Sequence, residues 1–278
     1  MGSGGGALLL RISWLWLSYL MLVAGNSNSR YNAYHYDMTT PQFTPDGRLL
    51  QVEYASAAAD HSSPLVVVAV QDTLVLVTIK SSTTQDRLVL WNDKIVIAMS
   101  GVLADSIALL QVVAKESTQQ SQLFQTSLSL HQVASAIANA CQEHSFGGGI
   151  RPFGSTMLIC GVVHPEKLHV IQTDPSGAMM DVTTFTSNNR SPWIVGGTTS
   201  LQRQLGKQME QAMGKKSVTT IADAIVAIGK TLIVADKSKQ SKDSMVQPLG
   251  LEVVVISPTR GAYRLTKAQS DYLWKQVR

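Results

Sequence analysis

The sequence has few of the residues that mark disulfide-rich or nucleic-acid-binding proteins. Of its 278 residues only Cys141 and Cys160 are cysteines, which excludes a disulfide framework and favours buried, reduced thiols. Charged residues make up 15% of the chain, and the formal net charge is +4. Without residues 1–30, which hold two arginines and no acidic residue, the net charge falls to +2. So weak a positive charge argues against a nucleic-acid-binding surface.

The chain also lacks a glycine- or proline-rich linker after residue 30. Linkers of that kind mark the boundaries between domains. The hydrophobic content of 45% is enough to bury a full core. We therefore expect one domain over residues 31–278.

Residues 1–30 differ from the rest of the chain. The apolar run after Arg11 has about a dozen residues, fewer than the roughly twenty that a membrane-spanning helix needs. Val23-Ala-Gly25 places small residues where a signal peptidase cuts. The pattern predicts a hydrophobic leader and linker: a secretory signal over residues 1–25, an uncleaved anchor, or a segment upstream of a true start at Met21 or another codon. Membrane contact is expected only for a real, uncleaved leader.

A strong turn and a helix precede the first predicted strand. Residues Thr44–Gly47 read Thr-Pro-Asp-Gly, in which proline presets φ, aspartate can bond the backbone and glycine accepts unusual conformations. Apolar and small residues then recur at steps of three and four, which predicts a helix over Gly47–Ala59. A helix placed before the sheet packs on the outside of the domain or against a neighbouring chain.

The remaining pattern predicts two blocks of strands and two pairs of helices. Strands are expected at residues 65–70, 74–79, 88–90, 95–99, 155–163, 168–173, 178–181, 251–256 and 262–266. Helices are expected at residues 102–124, 128–144, 199–213, 218–236 and 267–276, and a solvated loop at Lys237–Asp243. The first of these helices should bury Leu103, Ile107, Leu110 and Val113 on one face. This order favours an α/β (α+β) fold, a four-layer αββα sandwich.

Four motifs resemble those of α-type subunits of the 20S proteasome. Tyr36-Asp37 followed by Phe43–Ala55 is similar to the N-terminal signature of that family. Gly101–Asp105, Arg151–Gly154 and Gln172–Gly177 resemble further motifs, in the same order and at suitable separations. The resemblance covers nearly all of residues 34–266. It implies the αββα fold of the N-terminal-nucleophile hydrolases, in agreement with the pattern of strands and helices.

The resemblance also implies a subunit without catalytic activity. Protease members of the fold use an N-terminal threonine whose own amine activates its hydroxyl. Pro64 stands at the place of that threonine, and proline has no hydroxyl. Ser62 and Ser63 lie just before Pro64 and have hydroxyls that could substitute, but no processing signal is evident. A histidine and a serine that are neighbours in the sequence, as His61 and Ser62 are, seldom form the geometry of a base and its nucleophile. We expect no catalytic residues, no metal and no cofactor.

Assembly is the function that the resemblance implies. Proteasome α-type subunits form a hetero-heptameric ring with other α subunits, cap the β subunits, and act in ubiquitin-dependent protein degradation in the cytoplasm and nucleus. The contact helix should include Gly47, Leu50, Gln51, Glu53 and Tyr54. No nucleic-acid partner is implied.

Two further sites follow from the resemblance. Tyr36, Asp37, Pro45 and Tyr54 match the gate cluster, in which a phenol and a carboxylate hold the N-terminal tail. Met38 stands where the family often has arginine, so a charge-assisted bond is lost. Leu49, Glu53, Ser62 and Lys94 match the pocket between neighbouring subunits that receives the C-terminal tail of a regulatory particle. Lys94 would meet the carboxylate, and Ser62 replaces the pocket glycine.

A second hypothesis stays open. Met38, Ser62, Pro64 and Thr73 depart from the family pattern. The chain would then be a diverged paralogue, exported through the secretory pathway by residues 1–25, with a binding role outside the ring.

Overall fold

The structure is a computed structural model. It describes residues 42–70, 72–81, 86–147, 150–163, 167–183, 192–213, 220–239 and 248–277. The leader, Tyr36, Asp37 and Met38 lie outside the described residues. In the part of the chain that is described, no helix has the length and hydrophobicity to cross a bilayer.

Two antiparallel sheets form the centre of the fold. In spatial order, the first contains β10 (Gly261–Arg264), β9 (Pro248–Ser257), β2 (Thr73–Ser81), β1 (Leu65–Val70) and β8 (Trp193–Val195). The second contains β3 (Leu88–Leu90), β4 (Ile95–Gly101), β5 (Ser155–Val163), β6 (Lys167–Thr173) and β7 (Met179–Asp181). All residues of β1 are buried, because one face packs on helices and the other on the second sheet.

Helices cover the outer face of each sheet. The described helices are α1 (Leu50–Asp60), α2 (Leu103–Phe124), α3 (Leu130–Phe146), α4 (Thr199–Met213), α5 (Ile221–Lys239) and α6 (Lys267–Val277). Buried side chains of α4, α5 and α6 form one core with the first sheet, and those of α2 and α3 form another with the second. A third core lies between the sheets. The predicted αββα sandwich is confirmed.

Several local predictions were wrong. The strand Trp193–Val195 was not predicted, because a run of three residues is too short to show a pattern. Lys237–Lys239 continue α5 and do not begin a loop. Gly47 lies in the turn before α1, whose first residue is Leu50. On α2 the buried residues are Asp105, Ser106, Leu109 and Val113, whereas Leu103 and Leu110 are only partly buried.

Both thiols should be unreactive in the folded protein. Burial raises the pKa of Cys141 to about 12 and also raises the pKa of Cys160, so almost no thiolate forms at neutral pH. We expect a thiol-specific chromogenic reagent at pH 8 to modify neither cysteine in native protein and both in denaturant. Stoichiometric labelling of the native protein would contradict the burial of these side chains.

Candidate functional site

The turn before α1 is closed by Thr44. The amide of Gly47 donates to the Thr44 carbonyl at 2.8 Å, and the amide of Arg48 donates to the Thr44 hydroxyl at 3.0 Å. Gly47 has a φ of 77°, a conformation that favours glycine. These bonds fix where the chain enters α1, so the Thr-Pro-Asp-Gly sequence sets the direction of the helix.

The C-terminal end of α1 packs against one end of the two sheets. The hydroxyl of Ser62 donates to the carbonyl of Ala59 at 3.0 Å and lies 2.6 Å from the hydroxyl of Ser100, which is itself 3.4 Å from the same carbonyl oxygen. A Cβ on Gly101 would lie 2.9 Å from the Cα of Ala59 and 2.3 Å from the carbonyl oxygen of Gly154. The helix can approach β4 and β5 this closely only because glycine has no side chain.

Gly196, which follows β8, completes this contact. It has a φ of 78°, and a Cβ there would lie 2.5 Å from the Ser100 hydroxyl and 2.6 Å from the Ser62 hydroxyl. Gly196 was not predicted from the sequence. The sequence did contain a signal for this position: two consecutive glycines, Gly196 and Gly197, directly follow an apolar residue. Such a pair indicates a bend at which another segment of the backbone comes close.

Pro64 is buried and directly precedes β1. Its carbonyl accepts a hydrogen bond of 3.2 Å from the Thr78 hydroxyl. The chain runs without a break from α1 through residues 61–64 into β1. The entry to β1 therefore has neither a free amine nor, at Pro64, a hydroxyl.

Two of the family motifs meet beside this contact. Asp105, at the start of α2, is 4% exposed and accepts two hydrogen bonds from the Arg151 guanidinium, at 2.7 and 2.6 Å. It also accepts the amide of Gly154 at 2.8 Å. The hydrogen bonds from Arg151 lower the pKa of Asp105 despite the opposing effect of burial. The ion pair holds the start of α2 to the loop that enters β5.

A second buried carboxylate joins the two sheets. Glu252 of β9 is 5% exposed and accepts the amides of Arg87 and Leu88, each at 3.0 Å. Burial raises the pKa of Glu252 and lowers that of Arg87. The Arg87 guanidinium donates to the carbonyl of Ser63 at 2.9 Å. Arg87 is therefore a cation at the entry to β1.

The predicted pocket residues lie in two places. Leu49 is half-buried just before α1, and the carboxylate of Glu53 accepts two hydrogen bonds from Arg48. Lys94 lies before β4, where its amide donates to the side chain of Asn92. Five residues of extended strand separate Lys94 from Ser100, the contact of Ser62, so Lys94 and Ser100 lie roughly 20 Å apart. Within one chain Lys94 and Ser62 do not share a site, and a pocket that joins them between two subunits stays a prediction.

Arg87 was not predicted as a site residue. It precedes a strand of only three residues, and the resemblance indicated Lys94 as the pocket cation. A signal was available in Glu252, a single carboxylate within the apolar run Leu251–Ile256. A charge in a buried strand requires hydrogen-bond donors or a cation nearby.

The described part of the gate cluster lies on the exposed side of α1 and its turn. Pro45 is exposed, and Tyr54 is 51% exposed. Tyr36 and Asp37 belong to the residues that are not described, so their contact with Pro45 and Tyr54 stays a prediction. No group of histidine, cysteine, aspartate or glutamate residues suited to a metal ion occurs among the described residues.

Comparisons with known proteins agree with this geometry. A family model described as "Proteasome subunit" matches residues 59–230, and a second, for the N-terminal signature of A-type proteasome subunits, matches residues 36–58. "Proteasome subunit alpha" of Thermococcus kodakarensis is 30% identical over 204 residues, 71% of this chain and 74% of the relative. "Proteasome subunit alpha type-7" of Solanum lycopersicum is 29% identical over 236 residues, 79% of this chain and 87% of the relative.

A fungal relative gives the same result. "Probable proteasome subunit alpha type-3" of Schizosaccharomyces pombe is 27% identical over 209 residues, 71% of this chain and 79% of the relative. Alpha-type subunits belong to the 20S core, assemble in a ring with other proteasome subunits, and are generally noncatalytic. The N-terminal signature and the main family model together span residues 36–230. The chain therefore belongs to the proteasome subunit family, as a member of the alpha type.

Proposed function

We propose that this chain is a noncatalytic α-ring subunit that also takes part in gating substrate entry and in docking regulatory particles. The observation that carries the proposal is the position of α1. Its C-terminal end packs on β4 and β5, and the hydroxyl of Ser62, in the connection to β1, joins the carbonyl of Ala59 to the hydroxyl of Ser100. The helix therefore fills the end of the sandwich at which a catalytic member would need an open site.

The absence of catalysis rests on Pro64. An N-terminal nucleophile needs a hydroxyl and a free amine on one residue. Pro64 has no hydroxyl, and its nitrogen is part of the continuous chain between α1 and β1. The neighbouring Ser62 is buried, with its hydroxyl bonded to Ser100 and Ala59.

The outer side of α1 supports a role in ring contact. Ala55 and Ala59 are the buried residues of the helix, whereas Tyr54 is exposed and Gln51 is half-buried. Rings of related subunits use head-to-tail contacts, in which one face of each protomer meets a different face of the next. We assign Leu50, Gln51, Glu53 and Tyr54 to that contact, and Gly47 to the turn that directs it.

The gate would use the same end of the molecule. Tyr54 and Pro45 lie on α1 and in the turn directly before it. Tyr36 and Asp37 precede that turn in the chain and would complete the cluster. Met38 cannot supply the guanidinium that the family often has, so the tail would be held without that charge-assisted bond.

Docking would place a C-terminal carboxylate between α1 and the entry to β1. Leu49 and Glu53 belong to the start of α1, and Ser62 lies at its end. Lys94 would come from the neighbouring subunit, and Arg87, which is half-buried and donates to Ser63, is a second cation at the entry to β1. A planar guanidinium suits a carboxylate, which it can bind with two parallel hydrogen bonds.

The ring role also fixes where the protein should be found. We propose residues 31–278 as one α-type domain, located in the cytoplasm and nucleus and acting in ubiquitin-dependent protein degradation. In that role, residues 1–30 would have to be removed, bypassed by a later start, or placed outside the ring contact.

The test combines N-terminal sequencing of the native protein with its size on a native gel. We expect the chain to migrate with a large complex that contains other α and β subunits. The peptidase activity of that complex should be absent from the isolated chain. A monomer that begins near Asn26 would contradict the ring role and favour the exported paralogue.

A further inference from the structure

Strand β7 is a short edge strand that carries two exposed methionines. It has three residues, Met179–Asp181, and all three are exposed. It pairs with β6 at Ile171–Thr173, and no described strand lies on its other side. So short an edge strand has few backbone hydrogen bonds to hold it, so its local opening should cost far less free energy than global unfolding.

The two methionines of β7 are accessible to small oxidants in solution. Met179 is 48% exposed and Met180 is 46% exposed. Three other methionines are at most 3% exposed: Met99, Met157 and Met209. Because side chains alternate along a strand, Met179 and Met180 point to opposite faces of the sheet. The same strand therefore holds two thioethers of similar exposure in different surroundings.

The sulfur of Met179 faces a hydroxyl of α3. The Ser135 Oγ lies 4.0 Å from the Met179 Sδ, and a thioether is only a weak hydrogen-bond acceptor. Within the described part of the chain, the Ser135 hydroxyl has no other acceptor, and the sulfur of Met180 has no donor. The 4.0 Å distance leaves space for one more atom, since an oxygen bonded to Sδ can lie about 2.8 Å from the Ser135 Oγ, the usual length of an O–H···O bond. Oxidation of Met179 would thus give this hydroxyl the strong acceptor that it lacks.

We propose that Met179 is a reversible oxidation site for hydrogen peroxide, and that its sulfoxide oxygen accepts a hydrogen bond from Ser135 and fastens β7 to α3. The sulfur attacks one peroxide oxygen, so that the S–O bond forms as the O–O bond breaks. A proton moves from the transferred oxygen to the departing hydroxide; the sulfur is oxidised by two electrons and the peroxide is reduced to water. Methionine sulfoxide reductases reverse such an oxidation. The site goes beyond the proposed ring role, because neither residue belongs to α1 or to the proposed pocket.

The first measurement is the rate of oxidation of each methionine. The full chain is treated with hydrogen peroxide at pH 7, and the sulfoxide at each position is followed by peptide mapping with mass spectrometry. We expect Met179 and Met180 to be oxidised at least about tenfold faster than the three buried methionines, because exposure controls access of the oxidant. Oxidation of Met179 at the rate of the buried methionines would overturn the proposal.

The second measurement is hydrogen exchange at β7. The amide of Val182 donates to the Val170 carbonyl at 2.9 Å, and it exchanges when β7 opens. One additional hydrogen bond to Ser135 should slow this exchange by roughly threefold to tenfold in the oxidised protein. A methionine sulfoxide reductase should restore the original rate. Ser135→Ala should keep the fold, because alanine is the better helix former, and should remove the slowing.

Two matched variants assign the effect to one sulfur. Met179→Leu removes the proposed site and keeps every other methionine, so peroxide should no longer slow the exchange of the Val182 amide. Met180→Leu makes the same change at the neighbouring residue and should leave the slowing intact. The proposal is wrong if the slowing persists in Met179→Leu or Ser135→Ala, or if the Val182 amide of the oxidised wild type exchanges as fast as in the reduced protein or faster. All readouts are made on the isolated chain, so they do not depend on ring assembly.

Discussion

Gly101→Ala should lower the free energy of unfolding by about 3–5 kcal/mol, a large part of the total for an ordinary domain. The new Cβ would lie 2.3 Å from the carbonyl oxygen of Gly154 and 2.9 Å from the Cα of Ala59. Both neighbours are backbone atoms, which cannot move aside as a flexible side chain can. The φ of 107° at this residue adds strain for any residue with a Cβ.

Gly206→Ala is the matched control for this change. Gly206 lies within α4 and does not have a positive φ, and a Cβ there would meet no heavy atom within 4 Å beyond the backbone of its own helix. The same substitution there should stabilise the protein by about 0.5–1 kcal/mol, because glycine weakens a helix relative to alanine. Urea unfolding followed by circular dichroism measures both. If both variants changed the free energy of unfolding by the same small amount, the close contact between α1 and β4 would be contradicted.

Arg151→Met should destabilise the protein by about 2 kcal/mol at pH 7, because it leaves the carboxylate of Asp105 buried without its cation. The amide of Gly154 would be the remaining donor to that carboxylate among the contacts described. The Arg151 side chain is 67% exposed, so water can replace part of the lost interaction. The expected loss of stability is therefore smaller than the loss caused by breaking a fully buried ion pair.

The pH dependence distinguishes this mechanism from a general loss of packing. Hydrogen bonds from Arg151 lower the pKa of Asp105 in the folded protein. The resulting stability is present above the unfolded-state pKa, near 4, and is lost as the pH falls through the lower folded pKa. In Arg151→Met, burial without the cation opposes ionisation of Asp105, so protonation of this carboxyl as the pH falls should no longer lower the free energy of unfolding. The difference between wild type and variant should narrow below about pH 4.

Arg48→Met provides the control for the second prediction. It removes the same type of side chain from an ion pair with Glu53 in which both partners are exposed. Such exposed pairs contribute little to stability, because water and salt screen the two charges. Unfolding of both variants between pH 3 and pH 8 is the measurement. A variant of Arg151 that is as stable as Arg48→Met at every pH would show that Asp105 does not depend on its partner.

The layers of the fold could be predicted from the sequence because they depend on continuous apolar runs. Leu65–Val70 and Ile95–Gly101 are long enough for β-branched residues to identify a buried strand. Trp193–Val195 is too short for such a pattern. It is a strand because it pairs with β1 at Leu65–Val67, a contact that no local sequence reveals.

The chemistry of the site was less predictable, because it depends on residues far apart in the chain. Asp105 and Arg151 were assigned to two separate motifs, and the fold joins their side chains in one ion pair. Arg87 lies beside Ser63 through the pairing of β3 within the second sheet and the contact of Glu252 across the sheets. Lys94 was assigned to the pocket from the family resemblance, and within one chain β4 separates it from Ser62.

The short connection between α1 and β1 has a consequence for how the subunit is recruited. Only residues 61–64 separate the helix from a strand at the centre of the core. Because Ser62 is bonded to both Ala59 and Ser100, lifting the helix would pull on the first strand and open the sandwich. The contact helix and the core thus form one cooperative unit. A ring that selects its members through α1 would therefore admit only chains that have already folded.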